Sequence, residues 1–118
     1  MSNKFQLSLD VVGYDLMVGV AKRNTDTNGG VFTKQGSYML YMYNENNYNC
    51  YINGGATVLG QKNQFGNGSR LTVSLALNTK QLSFELDSAL VHSVALPNTS
   101  DLFAAVDLRN DNTTVSFV

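Results

Sequence analysis

Residues 71–87 read LTVSLALNTKQLSFELD, with apolar side chains at every second position: Leu71, Val73, Leu75 and Leu77, then Leu82, Phe84 and Leu86 after the polar break Asn78-Thr79-Lys80-Gln81. Alternation of period two belongs to half-buried strands, and two such runs around a short polar break predict a β-hairpin. The same period returns along the chain, and helical spacing is hard to find. KFQLSLDV puts Phe5, Leu7, Leu9 and Val11 on one face, and after Gly13-Tyr14-Asp15 comes LMVGVAK, where Gly19 within a strand points to close approach by a neighbour. SYMLYMYNENNYNCYIN gives two strands around Asn44-Glu45-Asn46-Asn47, with Tyr38, Leu40 and Met42 on one face and Met39, Tyr41 and Tyr43 on the other, so both faces are expected to be at least partly covered. LVHSVAL, LFAAVDL and TTVSFV complete the set. Residues 23–36, with Asn28-Gly29-Gly30, and residues 54–69, holding five of the ten glycines, read as long surface loops. Roughly nine or ten short strands at this rhythm predict an all-β fold, a two-sheet antiparallel β-sandwich. A length of 118 residues suits one domain.

Charge narrows the partners. Eight basic residues are scattered among nine acidic ones for a net charge of -1, so no basic stripe is available for a phosphate backbone, and neither nucleic acid nor membrane is expected as a partner. No run approaches the roughly 20 apolar residues that span a bilayer, and the first residues lead straight into a strand pattern. The single cysteine, Cys50, excludes an internal disulfide and a multi-cysteine zinc site. These features together read as a soluble, intracellular, cytoplasmic domain. Three glycosylation sequons, at Asn67, Asn98 and Asn112, fall in expected loops, but chance accounts for them in so Asn-rich a chain.

The titratable groups offer little convergent chemistry. The one histidine, His92, lies in an apolar strand, where a solvent-facing or internally bonded role is favoured over a general base or metal ligand. Cys50 shares the alternating set Tyr48, Cys50, Ile52, the place of a small buried hydrophobe rather than a nucleophile. The carboxylates are dispersed without calcium-loop spacing, and GQKNQFGNGS has no lysine and hydroxyl in phosphate-loop positions and does not join a strand to a helix. No catalytic residue, metal site or cofactor is assigned. Aromatics in or beside expected loops are more informative, because Tyr and Phe anchor interfaces while Asn and Gly let loops adapt around them.

In this order the segments resemble the SPRY domain family. FQLSLD followed by DLMVGVAKR is similar to the family's opening strands, GSYMLYMYNENNY occupies the place of its aromatic strand, RLTVSLALNTKQLSFELD is similar to its V-x-L-D-L-x-x-G-x-L-S-F hairpin, and LFAAVDLRNDNTTVSFV resembles its closing strands. The chain departs from the pattern at Asn78, where aspartate is usual, at Gln81, where glycine is usual, at Ala104 or Ala105, where proline is common, and in having no tryptophan. The companion N-terminal strands of longer members are also absent from this sequence. The resemblance implies a SPRY-like, concanavalin-like jelly roll acting as a non-catalytic protein-protein interaction module, which recognises a peptide segment or protein surface through loops at one end.

That implication places binding on residues 11–15, 23–36, 54–69 and 97–101, with Tyr14, Phe32 and Phe65 and the basic Arg23 and Arg70 as candidate contacts. Two other readings compete: a carbohydrate-binding, lectin-like sandwich, and a structural subunit that assembles into a larger complex through open sheet edges.

Overall fold

The structure is a computed structural model that describes residues 2–13, 15–23, 35–97, 101–108 and 113–118. Among these residues ten strands run in chain order: β1 (Ser2–Val11), β2 (Leu16–Lys22), β3 (Ser37–Tyr43), β4 (Asn47–Ile52), β5 (Gly55–Gln61), β6 (Arg70–Ala76), β7 (Gln81–Leu86), β8 (Ala89–Ala95), β9 (Leu102–Asp107) and β10 (Thr114–Phe117). They form two five-stranded sheets, β10-β1-β6-β7-β8 and β5-β4-β3-β2-β9, antiparallel throughout.

The alternation read from the sequence sets the inner faces. Leu7 and Leu9, Leu71 and Val73, and Leu82, Phe84 and Leu86 come from one sheet, and they meet Val18, Val20, Tyr38, Leu40, Met42 and Tyr48 from the other in one buried cluster. Burying each such side chain is worth about 1.5–3 kcal/mol, and together they hold the sheets face to face. The outer face of β2 and β3 carries a second, smaller cluster of Met17, Ala21 and Met39, against which Tyr41, Tyr51 and Ala105 pack. Both faces of β3 are therefore covered, as its two apolar sets predict. Gly19 is required where β2 passes β3, since a Cβ there would lie 2.0 Å from the Tyr38 carbonyl oxygen.

Three expectations change. Residues 54–69 are not one loop, because β5 occupies Gly55–Gln61 and only residues 62–69 connect onward. Asn53 and Gly54, at φ 52° and 87°, make a two-residue turn between the paired Ile52 and Gly55, as the primed turns of tight hairpins require. Val11 does not share the inward face of Leu7 and Leu9. A β-bulge between Leu9 and Val11 leaves Val11 45% exposed and packs Val12 against the core instead. Leu77, expected to continue the inward row of β6, falls beyond that strand and is exposed.

Candidate functional site

At the end of the sandwich where β1 and β3 finish and β2 and β4 begin, a cleft of about 270 Å³ opens between Val12, Gly13, Glu45, Asn46, Phe65, Gly66 and Asn67. Three segments distant in sequence line it, and asparagine side chains tie them together. Val12 N donates to Asn67 Oδ1 at 2.8 Å, and Phe65 N donates to Asn46 Oδ1 at 3.2 Å. Lys62 N donates to the Asn46 carbonyl at 3.1 Å, Gly68 N to the Leu9 carbonyl at 2.7 Å, and Gly13 N to Thr113 Oγ1 at 2.9 Å. Each bond satisfies a backbone group that a loop would otherwise leave to water. The turn Asn44–Asn46 holds Glu45 and Asn46 at φ 60° and 59°, a region Asn tolerates better than most residues, so the exposed Glu45 carboxylate is presented at the cleft by a fixed backbone.

Phe65 is the apolar floor of this end. Its ring meets Tyr48 edge-on, with centroids 5.8 Å apart and planes at 71°. The Tyr48 hydroxyl donates to the Asn63 carbonyl, and burial, with a smaller contribution from the Asp87 carboxylate, raises its pKa far above the ordinary phenol value. The loop 62–69 is thus bolted to the core through a buried tyrosine.

The remaining candidates fall in different places. Arg70 opens β6 at this same end, exposed, with its backbone N–H bonded to Asp87 Oδ1 at 2.9 Å. Arg23 lies at the opposite end, where β2 finishes. Its Nε pairs with Asp101 Oδ1 at 3.2 Å, and its guanidinium carbon sits 4.5 Å from the centroid of the Phe103 ring. Tyr14 and Phe32 lie outside the described residues. The described parts of the four expected binding segments divide between the ends: residues 11–13 and, of 54–69, the connection 62–69 lie at one, and Arg23, Gln35, Gly36, Pro97 and Asp101 at the other. The sequence does not mark the cleft's bracing residues Asn46 and Asn67, since no local spacing identifies a side chain that bonds a loop 19 or 55 residues away.

Cys50 and His92 do not build a reactive pair. Cys50 is buried on β4, and burial pushes its thiol up to about 11, which disfavours the nucleophilic thiolate near neutral pH. His92 lies on β8 in the other sheet, with its pKa lowered first by desolvation and then by the Lys62 ammonium. Among the described residues, no three His, Cys, Asp or Glu side chains are grouped to hold a metal ion, and no helix is long and apolar enough to cross a membrane.

No family model matches the sequence, and no curated protein matches it. Solved structures do. The SPRY domain of human HERC1 superposes with a TM-score of 0.74 at 16% identity over 98% of this chain and 73% of its own. The TRIM65 PSpry domain gives 0.77 at 15% identity, over 99% of this chain and 64% of its own. The fold is that of a SPRY domain. This SPRY-like sandwich spans less than two thirds of the TRIM65 chain, so that structure carries elements beyond those seen here. A sheep galectin-11 in complex with glycerol shares the two-sheet architecture more loosely, at a TM-score of 0.52 and 12% identity over 99% of this chain.

Proposed function

We propose that this SPRY-like sandwich is a non-catalytic protein-interaction module that docks a peptide segment or protein surface at the cleft between Val12, Glu45 and Phe65. The observation that carries this reading is the cross-bracing of the three cleft-lining segments, because a surface already held in place spends little free energy on ordering when a partner binds. Val12 and Phe65 offer apolar contact, the Glu45 carboxylate offers a charge, and Gly13 and Gly66 let a partner's backbone come close. A segment with an apolar side chain next to Lys or Arg fits that chemistry. Arg70 extends the contact surface, and Tyr14 and Phe32 stay contact candidates by their place in the sequence. Arg23 stands apart from this cleft, at the far end.

Gly66 provides the test. A Cβ built there meets no atom within 4 Å, so a large side chain enters open space and fills the cleft without disturbing the core. Peptides selected from a display library by the native domain are expected to bind Gly66→Trp at least about tenfold more weakly, a loss of about 1.4 kcal/mol, at unchanged melting temperature. Equal binding by the variant, or no peptide enriched by the native domain, would overturn the reading. Carbohydrate binding is the second reading. It draws on the galectin-like architecture and on the outer face of β3 and β4, where Tyr41 and Tyr43 stack at 4.7 Å and Tyr51 lies edge-on to Tyr41. A glycan-array signal lost in Tyr43→Ala and kept in Gly66→Trp would favour it.

A further inference from the structure

Sheets must manage their edges, because a free row of N–H and C=O groups invites another strand. Among the described residues, three of the four sheet edges are blunted. β5 and β8 carry register shifts against β4 and β7, and β10 has only four residues and lies against the bulge of β1. β9 differs. It pairs with β2 residue for residue from Leu102 to Asp107 without a shift, and from Leu102 to Val106 it has neither charge nor proline.

The orientation of its free groups follows from one bond. Arg23 N donates to the Asp101 carbonyl, so in the alternation of an antiparallel ladder the odd-numbered residues bond β2. The N–H and C=O groups of Leu102, Ala104 and Val106 therefore point to the open edge, and no described strand pairs with them. The flank is largely apolar as well. Ala104, on the inner face, is exposed beside a slot of about 110 Å³ lined with Phe5, Val20, Val73, Leu75 and Leu102 together with Lys4, and Phe103 on the outer face is 47% exposed.

From this edge we infer that the protein forms a two-fold dimer in which β9 of one copy pairs antiparallel with β9 of a second copy about Ala105. Residues facing one another in such a pair must share a sheet face, and centring on Ala105 sets Ala104 against Val106, Leu102 against Leu108 and Phe103 against Asp107 of the second copy. Val106 then covers the exposed Ala104, and the exposed Leu108 closes on the partly buried Leu102 of the second copy. Charge selects this centre. Arg23, whose Nε pairs with Asp101 in the single copy, has its guanidinium over Phe103, within reach of the facing Asp107, whose Oδ2 is buried without a hydrogen-bond partner in the single copy. Centring one residue earlier, on Ala104, would set Asp101 against Asp107 and oppose like charges.

The test uses the full chain. Its mass in light scattering is expected to rise from 12.9 kDa toward twice that value with concentration. Ala104→Pro removes an N–H that points to the open edge rather than to β2, so it should keep the domain folded and hold it at the monomer mass. Where that variant fails to fold, a thiol decides. Facing residues in a non-hydrogen-bonded pair lie about 4.5 Å apart at Cα, within disulfide range. Ala105→Cys in a Cys50→Ala background should therefore cross-link two copies under mild oxidation, and Ala104→Cys should not. A monomer at every concentration, a dimer indifferent to Ala104→Pro, or cross-linking at 104 in place of 105 would overturn the proposal.

Discussion

His92 shows how much a single strand position fixes. On β8, half-buried and close to the Lys62 ammonium, it has a pKa below the usual 6.5, with desolvation the larger cause. The unfolded chain therefore takes up its proton more readily than the folded one. Stability should be full above about pH 7, decline as the pH falls through 6.5 toward the lower folded value, and level off below it. The denaturation midpoint measured at pH 7.5, 6.0 and 5.0 should show this decline, and His92→Gln should flatten it; an unaltered profile in the variant would assign the decline to another group. Asp10 does not confuse the window. Its carboxylate accepts from Ser116 and Ser8 and is held below 3.8, so its contribution is lost only at lower pH. The strand pattern alone is enough to place Cys50 in the core. It could not show which asparagines brace the loops, because that role depends on distant segments meeting.

At the scale of elements, the bulge in β1 inserts Asp10 into the pairing with β10, so that Leu9 faces Val115 and Val11 faces Thr114. The inward row passes from Leu9 to Val12, and the two adjacent valines become unequal. Val11→Asp should change stability by less than about 0.5 kcal/mol, whereas Val12→Asp should cost on the order of 2 kcal/mol, because it sets a charge against the core. Paired denaturant titrations check this, and equal losses would place Val11 inside. Strict alternation predicts Val11 inside, since a bulge is a property of the pairing and leaves no mark in the periodicity. β5 is a different omission. Its strand, GATVLGQ, is flanked by glycines and reads as loop, yet the Asn53-Gly54 dipeptide just before it is a hairpin signal in its own right. β6 and β7, whose apolar residues alternate, and β2 and β3, which are buried on both faces, match their sequence bounds closely, because burial fixes the side each residue takes.

Across the whole molecule, the proposed cleft and the proposed dimer edge use different parts of the sandwich. The cleft belongs to the connections at one end, whereas the edge runs along β9 between the two ends. An antiparallel pairing of β9 would join the β5-β4-β3-β2-β9 sheets of two copies into one ten-stranded sheet, with the two clefts facing opposite ways. Neither residue chosen for mutation shares a partner with the other: Gly66 borders the cleft, and Ala104 faces the slot between β1 and β9. Mutational effects at separated sites without shared partners add to within about 0.5 kcal/mol. Ala104→Pro should therefore leave peptide affinity within about twofold of native, and Gly66→Trp should leave the concentration dependence of the mass unchanged. The double variant should show both losses in full. Titration of a selected peptide against each variant, with light scattering on the same samples, measures all four combinations. A peptide affinity that falls with Ala104→Pro would mean that binding needs residues from both copies, and the docking surface would then have to be sought along the β9 flank.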